Sequence, residues 1–136
     1  MGVRDMTRVR SLMLEGDVEG LVAVLRDESR SGPERRYAAA ALGNLHARQA
    51  VAPLVSVMDD TEVCDTVIQS LVAIGDPIAA APLAELFAST DDRWFRNTAK
   101  RALHLLYEKD PRGVRQVLED YEQSQKEGSR PKHRGR

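Results

Sequence analysis

Ala41-Leu42-Gly43-Asn44-Leu45 reads directly over Ser70-Leu71-Val72-Ala73-Ile74-Gly75, with Leu42 on Leu71 and Leu45 on Ile74 at an offset of 29 residues. The same offset carries Pro53 onto Pro82 and Leu54 onto Leu83. Downstream, Asp59-Asp60-Thr61-Glu62-Val63 falls on Asp91-Asp92-Arg93-Trp94-Phe95 at offset 32, which continues through Leu71/Leu103 and Ile74/Leu106. Upstream, Leu21, Val24 and Leu25 fall on Leu54, Val57 and Met58 at offset 33, and Asp76-Pro77 recurs as Asp110-Pro111 at offset 34. Self-similarity with a period near 30 residues marks stacked supersecondary units, because one unit cannot bury its own apolar face.

Each unit holds two apolar stripes with i, i+3, i+4 spacing, so each is a pair of amphipathic helices. The predicted first helices are 4–15, 33–46, 61–74 and 92–108. The predicted second helices are 17–27, 48–58, 77–88 and 111–123. Gly16, Gly43 and Gly75 stand where first helices end and suit a left-handed terminal residue. Pro33, Pro77 and Pro111 stand where a helix begins, and there a missing N–H costs nothing. Asp60 and Asp92 are placed to cap the first helices that follow them. Pro53 and Pro82 fall early in second helices, where they bend the helix or start it late. The fold class read from this pattern is all-α, a solenoid of about four helix pairs. Its predicted core is Val9, Leu12, Leu21, Val24, Leu25, Ala38, Leu42, Leu45, Leu54, Val57, Met58, Val67, Leu71, Ile74, Leu83, Leu86, Phe87, Ala99, Leu103, Leu106, Val114, Val117 and Tyr121.

A chain of 136 residues with 42% hydrophobic and 30% charged residues is long and apolar enough to bury one continuous core. Residues 1–123 are read as the repeat domain and 124–136 as a basic disordered tail lacking apolar side chains. The net charge of −1 is unevenly spread. Lys126, Arg130, Lys132, Arg134 and Arg136 against Glu127 make the tail +4, which leaves −5 on residues 1–123. A mildly acidic body is not the footprint of a duplex-binding domain, so nucleic acid is a possible partner through the tail but not the favoured one. One cysteine excludes an intramolecular disulfide and points to a cytoplasmic setting. No run approaches the roughly 20 apolar residues of a membrane span, so no membrane partner is expected.

Glu34-Arg35-Arg36-Tyr37-Ala38-Ala39-Ala40-Ala41-Leu42-Gly43, followed by Ala50-Val51-Ala52-Pro53-Leu54, resembles the HEAT-like repeats of phycobilisome lyases. The unit from Asp59 to Phe87 fits through Val63, Leu71-Val72-Ala73-Ile74-Gly75-Asp76 and Ala81-Pro82-Leu83. The resemblance covers residues 17–108. It implies a right-handed α-α superhelix whose second helices line the concave side. It also implies a ladder in which Arg35 and Arg96 bond to acidic turn residues, among them Asp27, Asp59, Asp60 and Asp91. Cys64 takes the arginine's place in the middle unit and interrupts that ladder, and Glu34 stands where valine is usual.

Chemistry-bearing clusters are absent from the sequence. His46, His104 and His133 stand outside any His-Glu pair of the kind through which HEAT-like deoxyhypusine hydroxylases bind iron. No metal, cofactor or catalytic residue is therefore expected. Cys64 reads as a small thiol on a helix surface, His46 as a cation at a helix end and His104 as a partly packed residue. Arg93, Arg96, Lys100 and Arg101 form a basic cluster that reads as a solvated helix face. The expected function is a non-enzymatic scaffold or adaptor binding another protein or peptide; a bilin lyase-like accessory role follows only from the resemblance. The candidate binding residues on the second-helix face are Arg26, Ala52, Val55, Ser56, Ala84, Glu85, Arg115 and Glu119. Trp94 joins them, because the repeat pattern exposes its position and an exposed tryptophan is a typical hot spot. The sequence leaves the oligomeric state open.

Overall fold

The computed structural model describes residues 3–128 and is helical throughout, without strands among those residues. The helices are α1 (Val3–Glu15), α2 (Val18–Arg26), α3 (Gly32–Asn44), α4 (Val51–Ser56), α5 (Cys64–Ile74), α6 (Ala80–Ser89), α7 (Arg93–Lys109) and α8 (Pro111–Gly128). In chain order they alternate as first and second helices, α1/α2, α3/α4, α5/α6 and α7/α8, the order the repeat predicts. The first helices α1, α3, α5 and α7 pack successively against one another, and α3 and α7 also pack on α2 and α6 of the preceding pairs. The result is an all-α HEAT-type solenoid.

The two recurrent prolines shape the second helices. A turn of 3-10 helix, Arg48–Ala50 before α4 and Pro77–Ala79 before α6, precedes each α-helix. Pro53 and Pro82 then become the third residues of α4 and α6. In the first turn their missing N–H groups have no intrahelical acceptor to lose. Each α-helix therefore starts after its 3-10 turn instead of bending; α4 is six residues long and α6 ten.

The core follows the stripes. Leu21, Leu25, Leu42, Leu54, Leu71, Leu83 and Leu106 are fully buried in one cluster running through all four pairs. Each stabilises the fold by roughly 2 kcal/mol relative to exposure. Three expected core residues lie outside it, and one of them, Tyr121, is only half-buried near the end of α8. Leu45 is 37% exposed because α3 stops at Asn44, so Leu45 is already the cap. Phe87 is 38% exposed because Ala80, Leu83 and Leu86 occupy the inward stripe of α6. Small residues do more of the packing than the stripes suggest. Ala39, Ala41, Ala50, Ala79, Ala80 and Ala102 are all buried.

Gly43 has a different role from the one its position suggests. It lies inside α3, and the left-handed residue after that helix is His46 at φ 52°. Gly16 and Gly75 do take left-handed φ values of 69° and 74°. At Gly43 an added Cβ would lie 2.9 Å from the Ser70 Cβ and 3.0 Å from its Cα. The glycine thus allows α3 and α5 to approach closely. Across that contact the Ser70 hydroxyl donates to the Ala39 carbonyl at 2.7 Å.

The final helix is longer than predicted. It continues through Gly128, so residues 124–128, expected to be disordered, are helical. The rest of the basic tail and His133 lie outside the described residues.

Candidate protein-binding surface

Arg35 ties two repeats together. Its side chain is buried in α3, its Nε donates to the Leu25 carbonyl at the end of α2 (2.9 Å), and its Nη2 donates to Asp60 Oδ2 (2.9 Å) in the α4–α5 loop. These two donors of the planar guanidinium fork reach separate acceptors, a geometry that a lysine ammonium does not reproduce. Asp60 also accepts the Glu62 amide. That backbone hydrogen bond, with the Arg35 contact adding to it against the effect of burial, holds its carboxyl below the usual carboxylate range. The next rung does not form. Arg96 donates to the Thr90 carbonyl at 2.9 Å and, among the described residues, pairs with no carboxylate. Asp59 and Asp91 hold no ion pair among the described residues. The geometry explains this: Arg35 reaches the loop of the following pair, whereas no pair follows α7/α8 among the described residues.

Glu34 completes a capping box. Its carboxylate accepts the Ser31 amide (3.0 Å) while the Ser31 hydroxyl accepts the Glu34 amide (3.2 Å), and Arg30 pairs with it at 2.9 Å. This local use accounts for a glutamate where the repeat pattern has valine. Burial pushes the Glu34 carboxyl up, but the hydrogen bonds from Ser31 and Arg30 outweigh it and leave the group below its ordinary value.

On the second-helix face, α4 and α6 stand apart and open two adjoining clefts. One, of about 510 Å³, is lined by Arg48, Ala52, Val55, Asp76, Ile78 and Pro82. The other, of about 280 Å³, is lined by Val55, Ser56, Asp59, Pro82, Glu85 and Ser89. Val55 and Pro82 belong to both, so the clefts form one shallow groove. Its larger cleft is mainly apolar and carries the Arg48–Asp76 pair at 3.6 Å, and its smaller cleft mixes apolar side chains with Ser56, Asp59, Glu85 and Ser89.

The structure therefore brings together Ala52, Val55, Ser56 and Glu85 of the expected binding set. Ala84 is half-buried on α6 and lines neither cleft. Arg26 ends α2, exposed and away from the groove. Arg115 donates to the Tyr107 hydroxyl at 3.0 Å, and Glu119 is exposed on α8. The sequence reading missed Ile78, which is 58% exposed at the mouth of the larger cleft. Its one signal was an isoleucine directly after Asp76-Pro77, in a helix-entry turn and off the apolar stripe.

Trp94 lies on the other side of the molecule. It is 45% exposed in the first turn of α7, where its ring meets Phe95 edge-on at 5.2 Å. It borders a groove of about 460 Å³ between the first helices α5 and α7. It does not join the second-helix face.

The remaining chemistry-bearing residues are quiet. Cys64 is buried, not on the surface as its position suggested, and burial pushes its thiol pKa up, away from reactive thiolate. His104 is well exposed and lies 3.1 Å from Glu108 one turn on. Among the described residues no three His, Cys, Asp or Glu side chains gather as metal ligands, and no helix is long and apolar enough to cross a membrane.

A family model described as HEAT repeats matches residues 18–104, from the start of α2 into α7. No curated protein and no solved structure matches the chain. With more than half its length matched, and four stacked helix pairs carrying the repeat, the chain belongs to the HEAT-repeat family.

Proposed function

We propose that this HEAT-repeat chain is a non-enzymatic binding module that seats a protein segment in the α4–α6 groove of its second-helix face. The observation that carries the reading is the groove around Val55 and Pro82, apolar along its larger cleft and charged at its ends. Recognition sites for peptide segments have this composition, with apolar pockets supplying affinity and rim charges supplying register. The groove is short, so it takes one helix or extended segment of a partner and not a whole domain face.

The test is selection of ligands from a displayed random peptide library against the folded protein. Selected peptides should lose about tenfold or more in affinity to Ala52→Glu, which fills the exposed edge of the larger cleft without touching the core. They should bind Trp94→Ala as tightly as the parent. Peptides indifferent to Ala52→Glu would refute the assignment of the groove.

A further inference from the structure

The two ends of the α4–α6 groove differ in charge. Its walls run in the same direction, from Arg48 to Asp59 on one side and from Asp76 to Ser89 on the other. Both 3-10 turns therefore lie at one end and both helix C-termini at the other. At the 3-10 end Arg48 and Asp76, 3.6 Å apart, cancel each other's charge. Beside them Ile78 stands 58% exposed over the apolar cleft.

The C-terminal end is anionic and uncompensated. Asp59 and Glu85 line one cleft, both are exposed, and among the described residues neither holds an ion pair. Neither α4 nor α6 has a basic residue in its last turn to offset them. The last carbonyls of α6 add partial negative charge on the same side, because they form the negative end of the helix dipole. Glu85 follows Ile78 by seven residues, which sets the apolar and anionic portions about 10 Å apart. A neutral segment laid along the groove would take water from both carboxylates and return no partner. A lysine or arginine placed there offsets that cost with charge-assisted hydrogen bonds.

We propose that the segment seated in this groove is basic and amphipathic, with apolar side chains over Ile78, Val55 and Pro82 and a lysine or arginine against Asp59 and Glu85. The inference rests on the groove being the binding site, and it adds the sign of the partner's charge and the order in which apolar and cationic side chains follow. An extended chain covers the distance of about 10 Å in roughly three residues and a helix in roughly seven, which sets the spacing of the motif. The chain's own basic stretch from Arg130 to Arg136 has no apolar side chain besides Pro131, so it matches the anionic end and not the apolar cleft.

Peptides selected from the displayed random library, synthesised with a fluorophore and titrated by anisotropy against the full chain, test the proposal. They should carry a lysine or arginine beside apolar residues, and changing that cation to glutamate should weaken binding about tenfold or more. Asp59→Asn together with Glu85→Gln should weaken binding of the original peptides about tenfold and flatten its salt dependence. Asp59→Lys together with Glu85→Lys should reverse the preference, binding the glutamate-bearing peptide more tightly than the original. A merely structural effect of those two changes would weaken both peptides alike. Peptides that are lost on Ala52→Glu but carry no cation, or that are indifferent to Asp59→Asn with Glu85→Gln, would overturn the proposal and leave the groove assignment standing. Peptides indifferent to Ala52→Glu would overturn both.

Discussion

Arg35 shows how much one side chain can decide in a repeat protein. It is buried, and its fork is divided between the end of α2 and the α4–α5 loop. Replacing it with methionine keeps the volume but strands the Leu25 carbonyl and releases Asp60. Arg35→Met should cost about 2–3 kcal/mol in urea unfolding, between a lost charged hydrogen bond and a broken buried ion pair, since Asp60 retains some solvent. Gly43 makes a separate prediction. Its missing Cβ would meet the Ser70 backbone as well as its side chain, and the backbone cannot rotate away. Gly43→Ala should therefore destabilise by about 1–3 kcal/mol despite alanine's better helix propensity. A stabilised Gly43→Ala variant in the same assay would mean that α3 and α5 are not in such close contact.

At the level of elements, the sequence made most of the fold legible. The repeat offsets located all eight helices because the same apolar stripe had to recur in every pair, and periodicity survives irregular loop lengths. What it missed was decided by local competition. Gly43 carries the signature of a C-cap, but helix–helix approach is a second use for glycine that periodicity cannot distinguish, so the left-handed position went to His46. Glu34 departed from the family pattern because the capping box with Ser31 is satisfied within one turn. The binding surface was legible only in part. Ala52, Val55, Ser56 and Glu85 converge because they share second-helix positions, whereas Ile78 enters from a turn and Trp94 projects from a first helix. Arg96 shows the limit of carrying a ladder along a repeat: the rung needs a following loop, and the described chain ends with α8.

For the whole molecule, pH acts through carboxylates that accept hydrogen bonds in the folded state. Asp27, held low by the hydrogen bonds from Ser29, joins Glu34 and Asp60 in having a depressed pKa in the folded state. A depressed folded-state value means that the unfolded chain binds the proton more tightly. These groups therefore contribute stability at pH above their unfolded values and lose it as pH falls through the folded ones. Stability should be steady above about pH 5 with respect to them and decline from about pH 4 downward. Glu34→Gln should be less stable at neutral pH and show a shallower acid decline, as read from urea midpoints across that range. A parallel decline in both proteins would remove Glu34 from the account.

The central claim concerns what the solenoid presents: a groove between two second helices, α4 and α6. Backbone amide NMR of the folded protein, titrated with a library-selected peptide, tests it most directly. The account predicts chemical-shift changes concentrated on Ala52, Val55, Ser56, Ile78 and Glu85, with α5 and α7 little affected. Changes centred on Trp94, Arg101 and Leu105, or spread over no single face, would contradict it.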